Sequence, residues 1–211
     1  MSHTLGIRQV QKQKTRQALL DAALELLEEQ SLSSLGLREV TRAVGVAPTA
    51  FYRHFRSTAD LGVALVEEAL GSLHRMIGDT VSAADDSSER IARAVDLIDR
   101  HVRAYPAHVR FIARERNGGV QPVRKAISDQ LARFAEEVRA ELAKHPESEG
   151  WSDGDLLMLA GLYVDQMLMT ASLFLEALEG PEEERDRVAR VASRQMLLIS
   201  IGRRHWLREL G

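Results

Sequence analysis

Apolar positions recur at helical spacing through most of the chain, and short polar or glycine-bearing breaks separate the runs. The first run, from about Val10 to Glu29, sets Ala18, Ala22 and Leu26 beside Leu19, Ala23 and Leu27 as one buried stripe. Ser31 to Gly36 is a polar break. Leu37, Val40 and Val44 then repeat at helical spacing and leave Arg38, Glu39, Thr41 and Arg42 for other faces. Gly45 ends this short helix, because glycine takes the left-handed backbone that closes a last turn, and Val46 can pack beneath it. Pro48 stands where a first helical residue would, its fixed φ and missing N–H costing nothing there. A second short helix is therefore expected over about Pro48 to Phe55, with Phe51 and Phe55 on its inner face. Thr49, Ala50, Tyr52, Arg53 and His54 take the outer positions.

The remaining pattern is also helical. A fourth helix starts near Ser57 or Thr58 and runs through LGVALVEEALGSLHRMIG, and Ser82 to Ser88 reads as a loop. ERIARAVDLIDRHVRAY is amphipathic and halts at Pro106, HVRFIARER follows, and Asn117-Gly118-Gly119 breaks it. A long helix over VRKAISDQLARFAEEVRAELAKH ends before a linker from Pro146 to Gly150. Two late helices, DLLMLAGLYVDQMLMTASLFLEALE and ERDRVARVASRQMLLISIGRRHWL, are more apolar than one chain needs. They either bury inside the monomer or pack against a second copy as a four-helix bundle. The expected fold is all-α.

Composition fits that reading: 211 residues, 45% hydrophobic, with five prolines. A core of this size needs neither metal nor disulfide, and the absence of cysteine removes thiol nucleophiles and Cys-containing zinc sites. No uninterrupted apolar run approaches the roughly 18 residues of a membrane span, and the polar start lacks a secretory core, so cytoplasmic residence without membrane contact is expected. The formal net charge is −3. It is unevenly spread: residues 1–60 carry eight Lys and Arg against six Asp and Glu, and the rest carries 20 against 25. Arg8, Lys12, Lys14 and Arg16 precede the first acid, Asp21, and such a patch can meet phosphates on an acidic chain.

Leu35 to Phe55 thus reads as a helix-turn-helix whose exposed hydroxyl, imidazole and guanidinium groups suit phosphate and base-edge contacts. A helix pair around a glycine turn also occurs in helical proteins that bind no nucleic acid. The exposed Tyr-Arg-His run on so short a helix favours DNA. Tyr52-Arg53-His54-Phe55, the Leu-Arg-Glu-Val helix before it and LLDAALELL earlier resemble the DNA-binding domain of TetR-type transcriptional regulators, over roughly residues 8 to 65. Scattered segments (IRQVQKQKTR, SLGLREV, APTAFYRHFR, ADLG, FIARERNGG and LISIGRRHW) are similar to the subgroup that represses unsaturated-fatty-acid synthesis, FabR and DesT among them. Gly36 stands where such relatives place a capping Ser or Thr, which keeps Glu39 but loses half a capping box. Thr58 replaces a common lysine.

The resemblance implies a DNA-binding domain over residues 1–56 and a helical effector-binding and dimerisation domain over 57–211. It implies a repressor of lipid or fatty-acid genes that binds a palindromic double-stranded operator as a homodimer through the last two helices. Arg38 would contact a base, joined by Thr41 on the same helix; Pro48, Thr49, Ala50 and Arg53 would address bases, and Tyr52 and His54 phosphates. By spacing alone Phe111, Met158, Leu162, Met167, Met169 and Phe174 are better read as ordinary core than as a yielding cavity wall. The resemblance implies an acyl chain in this domain, carried as a coenzyme A thioester. On that implication Ile98, His101, Phe111, Arg114, Met158, Leu162, Gln166, Met167 and Met169 are the candidate effector residues, with Glu115, Arg116 and Asn117 near the mouth. A regulator that senses an unrelated hydrophobic molecule, such as a drug controlling its own efflux, is the alternative; a helical interaction module is a remoter one. The chain has no HExxH, phosphate loop, G-x-S-x-G elbow or tight His/Asp cluster, so neither an enzyme, a metal nor a cofactor is expected. His101 and His108 flank Pro106 and are placed to approach each other.

Overall fold

The computed structural model describes the backbone of residues 2–81 and 87–210, and the side chains of residues 9–71, 87–203 and 205–206. Among these every regular element is helical, as the pattern predicts. The order is α1 (Ser2–Leu26), α2 (Leu37–Val44), α3 (Pro48–Phe51), α4 (Thr58–Val81), α5 (Ser87–Ala104), α6 (Pro106–Glu115), α7 (Gln121–Leu142), a 3-10 turn (Pro146–Ser148), α8 (Asp153–Glu176) and α9 (Glu182–Leu210). Most of the loop expected at Ser82 to Ser88 lies outside the described residues, and Ser87 and Ser88 already belong to α5.

Two boundaries differ from expectation. Helix α1 begins well before Val10 and gives way at Leu27, where Glu28 and Glu29 switch to the tighter i→i+3 pattern. Helix α3 is only four residues long, and Arg53 and His54 continue it as a turn with i→i+3 bonds to Ala50 and Phe51. Helix α8 also qualifies a sequence reading: an 18-residue stretch of it is long and apolar enough to cross a membrane by length and composition. Its Leu156, Leu159, Ala160, Val164, Thr170 and Phe174 are buried among the other helices.

The chain forms two compact units, one of Met1–Ala69 with Arg110–Ile127, the other of Leu70–Val109 with Ser128–Gly211. The unit that carries the helix-turn-helix therefore extends past residue 56 and recruits a segment from the middle of the chain. Leu19, Leu20, Ala23 and Leu27 of α1, Val40 of α2, Phe51 and Phe55, Leu61 and Leu65 of α4, and Phe111, Ile112 and Val123 are all buried in it. A Cβ on Gly62 would lie 2.4 Å from Leu32 Cδ2 and 2.8 Å from Val123 Cγ2. Only glycine lets the corner after α1 and the start of α7 close on α4 from both sides.

Polar bonds fasten the recruited segment. Arg114 Nη1 donates to the carbonyls of Leu27 and Gln30, both at 2.7 Å, and Nη2 to that of Glu28 at 3.2 Å. These acceptors lie where α1 ends, with carbonyls left over and the negative end of the helix dipole. The next residue, Glu115, is 1% exposed and accepts the Leu32 N–H at 2.9 Å. The guanidinium is itself exposed, so solvent takes part of the gain. Arg114→Ala is expected to cost about 1.5–3 kcal/mol of unfolding free energy in a denaturant titration, and Arg114→Lys, which offers no planar fork, to recover only part of it.

In the second unit, Ile91, Val95, Ile98 and Val102 line one face of α5 and pack with Phe174, Val188, Ala192 and Met196. Phe134 and Ala135 of α7 form a second cluster with Ala160 and Val164. Arg185 reaches from α9 to Asp99 of α5 at 2.5 Å. Burial pushes the Asp99 carboxyl up, but hydrogen bonds from Arg103 and Arg185 outweigh it and hold the group below the usual carboxylate range.

His101 is buried with its ring centroid 5.2 Å from that of Tyr105, and burial, then the charge of nearby His108, push its pKa down. The two histidines do approach across the proline. An unfolded chain binds the proton at about 6.5, before the folded one does. The stability that neutral His101 carries is thus complete above that value and lost as pH falls below it, until the folded pKa is reached. His54 and His145 are shifted the same way. The melting temperature is expected to fall between pH 7.5 and 5.5 by scanning calorimetry, and by less in His101→Gln.

Candidate nucleic-acid interface

The turn between α2 and α3 closes as the sequence requires. Gly45 has φ 72°, and the N–H groups of Gly45 and Val46 bond the carbonyls of Arg42 and Thr41 at 3.1 and 3.0 Å. At the other end of α2 the Gly36 N–H donates to Glu39 Oε2 at 2.9 Å, while glycine has no side chain to return the bond, so half a capping box forms. Helix α4 is capped by the Ser57 hydroxyl, which accepts from the Asp60 N–H at 3.1 Å.

Phe51 and Phe55 are 0% and 3% exposed, with ring centroids 5.5 Å apart, and anchor α3 from inside. Tyr52 meets Phe51 edge-on but leaves 64% of its surface in solvent. Pro48, Thr49, Arg53 and, on α2, Arg38 are exposed, and Ala50 is half-buried. The basic run at the front of α1 reaches the same place. Lys12 and Arg16, one turn apart, share a face, and the Arg16 guanidinium lies over the Phe55 ring, 5.2 Å from its centroid. The His54 pKa is lowered by burial first, then by the charges of Lys12, Arg16 and Arg53. Four cationic or potentially cationic groups thus crowd one end of the recognition segment, an arrangement that an adjacent phosphate would relieve.

Two expected contacts are not part of this cluster. Thr41 is 2% exposed and its hydroxyl donates to the Arg38 carbonyl at 3.3 Å, so it is a core residue of the head and not a DNA contact. It follows Val40 on the inward side of α2. Lys14, two residues from both Lys12 and Arg16, projects from a different face of α1. The side chain of Arg8 lies outside the described residues.

The effector candidates scatter. Ile98 and His101 are buried in the second unit, and Met167 touches both of its apolar clusters. Phe111 and Arg114 belong to the other unit, and Arg114 is engaged at the end of α1. Met158, Leu162 and Met169 are 44%, 50% and 58% exposed, and their spacing sets them together on one face of α8. Gln166 spans α8 to α9, donating to Gln195 Oε1 at 2.8 Å. Val191, Leu198 and Ile201 form a similar exposed apolar stripe on α9.

The model of the bacterial regulatory proteins of the tetR family matches residues 19–65, which span the end of α1 through the first turns of α4. An HTH-type transcriptional regulator of Haemophilus influenzae, itself uncharacterized, is 37% identical over 146 residues, covering 68% of this chain and 71% of its own. The chain belongs to the TetR family. Among solved structures, the fatty acid degradation regulator FadR of Bacillus halodurans matches 86% of this chain and 94% of its own, with a TM-score of 0.70 and 15% identity. FadR of Bacillus subtilis, solved with stearoyl-CoA, matches 87% and 96%, with a TM-score of 0.69 and 14% identity. These likenesses show the fold. This TetR-family protein is a DNA-binding transcriptional regulator, and its relatives are regulators, not enzymes.

Sequence reading missed how the TetR-type head is held. Arg114 and Glu115 resemble any surface Arg-Glu pair, and nothing in their spacing shows that they meet residues more than eighty positions earlier. It also passed over Arg90, His145 and Arg203, which converge in the second unit although they stand on three separate segments.

The interface makes a direct prediction for this regulator. Tyr52→Ala is expected to weaken binding about equally on specific and unrelated duplexes. Arg38→Ala is expected to cost about 1–3 kcal/mol on the operator and to relax discrimination at one base pair. Fluorescence anisotropy at fixed salt with single-base-pair operator variants separates the two.

Proposed function

We propose that this TetR-family regulator represses genes of lipid or fatty-acid metabolism from a palindromic operator and responds to an acyl-CoA effector. The reading extends the resemblance to the FabR and DesT subgroup, and the FadR neighbours, one of them holding stearoyl-CoA, support it. The observation that carries the DNA half is the convergence of Lys12, Arg16 and Arg53 around His54 beneath an exposed Tyr52.

The working form is a homodimer. Met158, Leu162 and Met169 on α8 and Val191, Leu198 and Ile201 on α9 leave two adjacent helices with outward apolar stripes. A symmetric four-helix contact would cover them and set two heads at a fixed separation for a two-fold site. Such a protein works in the cytoplasm, where its DNA is. An effector acts by binding one head spacing better than the other, so operator affinity changes by the ratio of those affinities.

The test is a titration of the full-length protein against the promoter beside its own gene, at fixed salt, with saturated and unsaturated acyl-CoA added separately. At least one class is expected to move operator affinity by roughly fivefold or more. An operator complex indifferent to both would remove the acyl-CoA effector and favour an unrelated hydrophobic ligand.

A further inference from the structure

His54 differs from the other groups of the DNA-reading face because its charge is not fixed. Its half-buried ring packs against Phe55, with centroids 6.4 Å apart. Nδ1 is enclosed and has no hydrogen-bond partner, whereas Nε2 is not among the enclosed atoms. The nitrogen left to meet an incoming group is therefore Nε2, two residues from the exposed Tyr52.

The described charges that act on this ring are positive. Lys12 and Arg16 face it from α1, and Arg53 from its own segment. Arg16 is tied to the same Phe55 ring that His54 packs against. The first carboxylate of α4, Asp60, accepts the Arg56 N–H at 2.9 Å and is not among the groups that act on the ring. An imidazolium here would meet three cations and set an N–H on the enclosed Nδ1 without an acceptor. The free protein therefore holds the ring neutral, its pKa pushed below the usual value by burial first and then by Lys12, Arg16 and Arg53.

A duplex reverses that balance. Its phosphates, laid along the exposed Lys12 and Arg53, offset the cations that keep the ring uncharged. A phosphate oxygen against Nε2 also accepts a stronger hydrogen bond from a charged donor than from a neutral one. The phosphodiesters do not titrate near neutrality, so a proton exchanged on binding belongs to the protein.

We propose that this regulator binds DNA with uptake of a proton at His54, which passes from a neutral ring in the free protein to an imidazolium paired with a backbone phosphate in the complex. The inference deepens the reading of Tyr52 and His54 as phosphate contacts and rests on it. Phosphates are alike on every sequence, so specific and unrelated duplexes take up the proton equally. Binding raises the affinity of His54 for its proton, so by linkage acid raises the affinity of the protein for DNA. The gain is up to about tenfold per pH unit for each bound subunit, confined to the interval between the free and bound pKa values. Acidification thus tightens the hold on DNA without any effector.

The full-length protein is titrated by calorimetry with the promoter beside its own gene, and at lower salt with an unrelated duplex, in buffers of low and high ionisation heat. The observed heat is expected to vary with the buffer in the sense of net proton uptake on both duplexes. Fluorescence anisotropy at fixed salt is expected to show affinity rising from pH 8 toward pH 6. His54→Gln keeps a polar side chain without a titrating proton, and is expected to lose both the uptake and the pH slope. An NMR titration of the His54 Cε1–H follows the unsubstituted ring directly, and its midpoint is expected to be higher in the complex than in the free protein. A ring that stays neutral and donates Nε2–H to phosphate would give no buffer dependence and one midpoint in both states. Either result overturns the proposal, as does uptake that persists in His54→Gln; in each case DNA is still bound and its recognition by this face stands. Absence of a complex with either duplex would remove that recognition and the proton uptake together.

Discussion

The DNA-reading unit depends on two adjacent side chains that never approach DNA in the contact scheme above. Arg114 collects the spare carbonyls at the end of α1, and Glu115 takes the Leu32 N–H of the corner that follows. Removing the buried carboxylate would leave that N–H unsatisfied, which costs more than the bond itself gains. Through these contacts the end of α6 becomes part of the head, and the hydrophobic closure of Leu32 and Val123 on Gly62 completes it. The helix-turn-helix therefore packs within a unit that includes residues 110–127. Cations crowd His54 at one end of the head, whereas in the second unit Arg90 and Arg203 act on the Glu147 carboxylate.

What was legible in the sequence was local. Gly45, Pro48, Phe51 and Phe55 specify the helix-turn-helix because turn, start and inner face are each set by residues within a few positions of one another. The same locality places Tyr52, Arg53 and Thr49 on the outside. Thr41 was misplaced because an eight-residue helix carries too few apolar positions to fix its inward arc, and a small hydroxyl satisfied by the Arg38 carbonyl fits there without cost. Met158 and Met169 stand exposed on α8 for a different reason. Apolar residues on every face of a helix do not tell a cavity from an exterior stripe, and only packing against α5 and α9 decides which side remains open. Arg114, Glu115 and the Arg90, His145, Arg203 group were illegible because their partners lie far away in the chain.

The central claim is that residues 110–127 fold and open with α1 to α3 as one cooperative unit. Native-state hydrogen exchange on the full-length protein measures this, read at the amides of Leu32, Ile112, Val123 and Ile127. The account predicts that these share one opening free energy with the amides of α1 and α2, and that Glu115→Ala, which leaves the Leu32 N–H without its acceptor, lowers all of them together while those of α8 and α9 hold. Exchange of Ile112 to Ile127 in step with α8 and α9, leaving the α1 and α2 amides unchanged in Glu115→Ala, would contradict it.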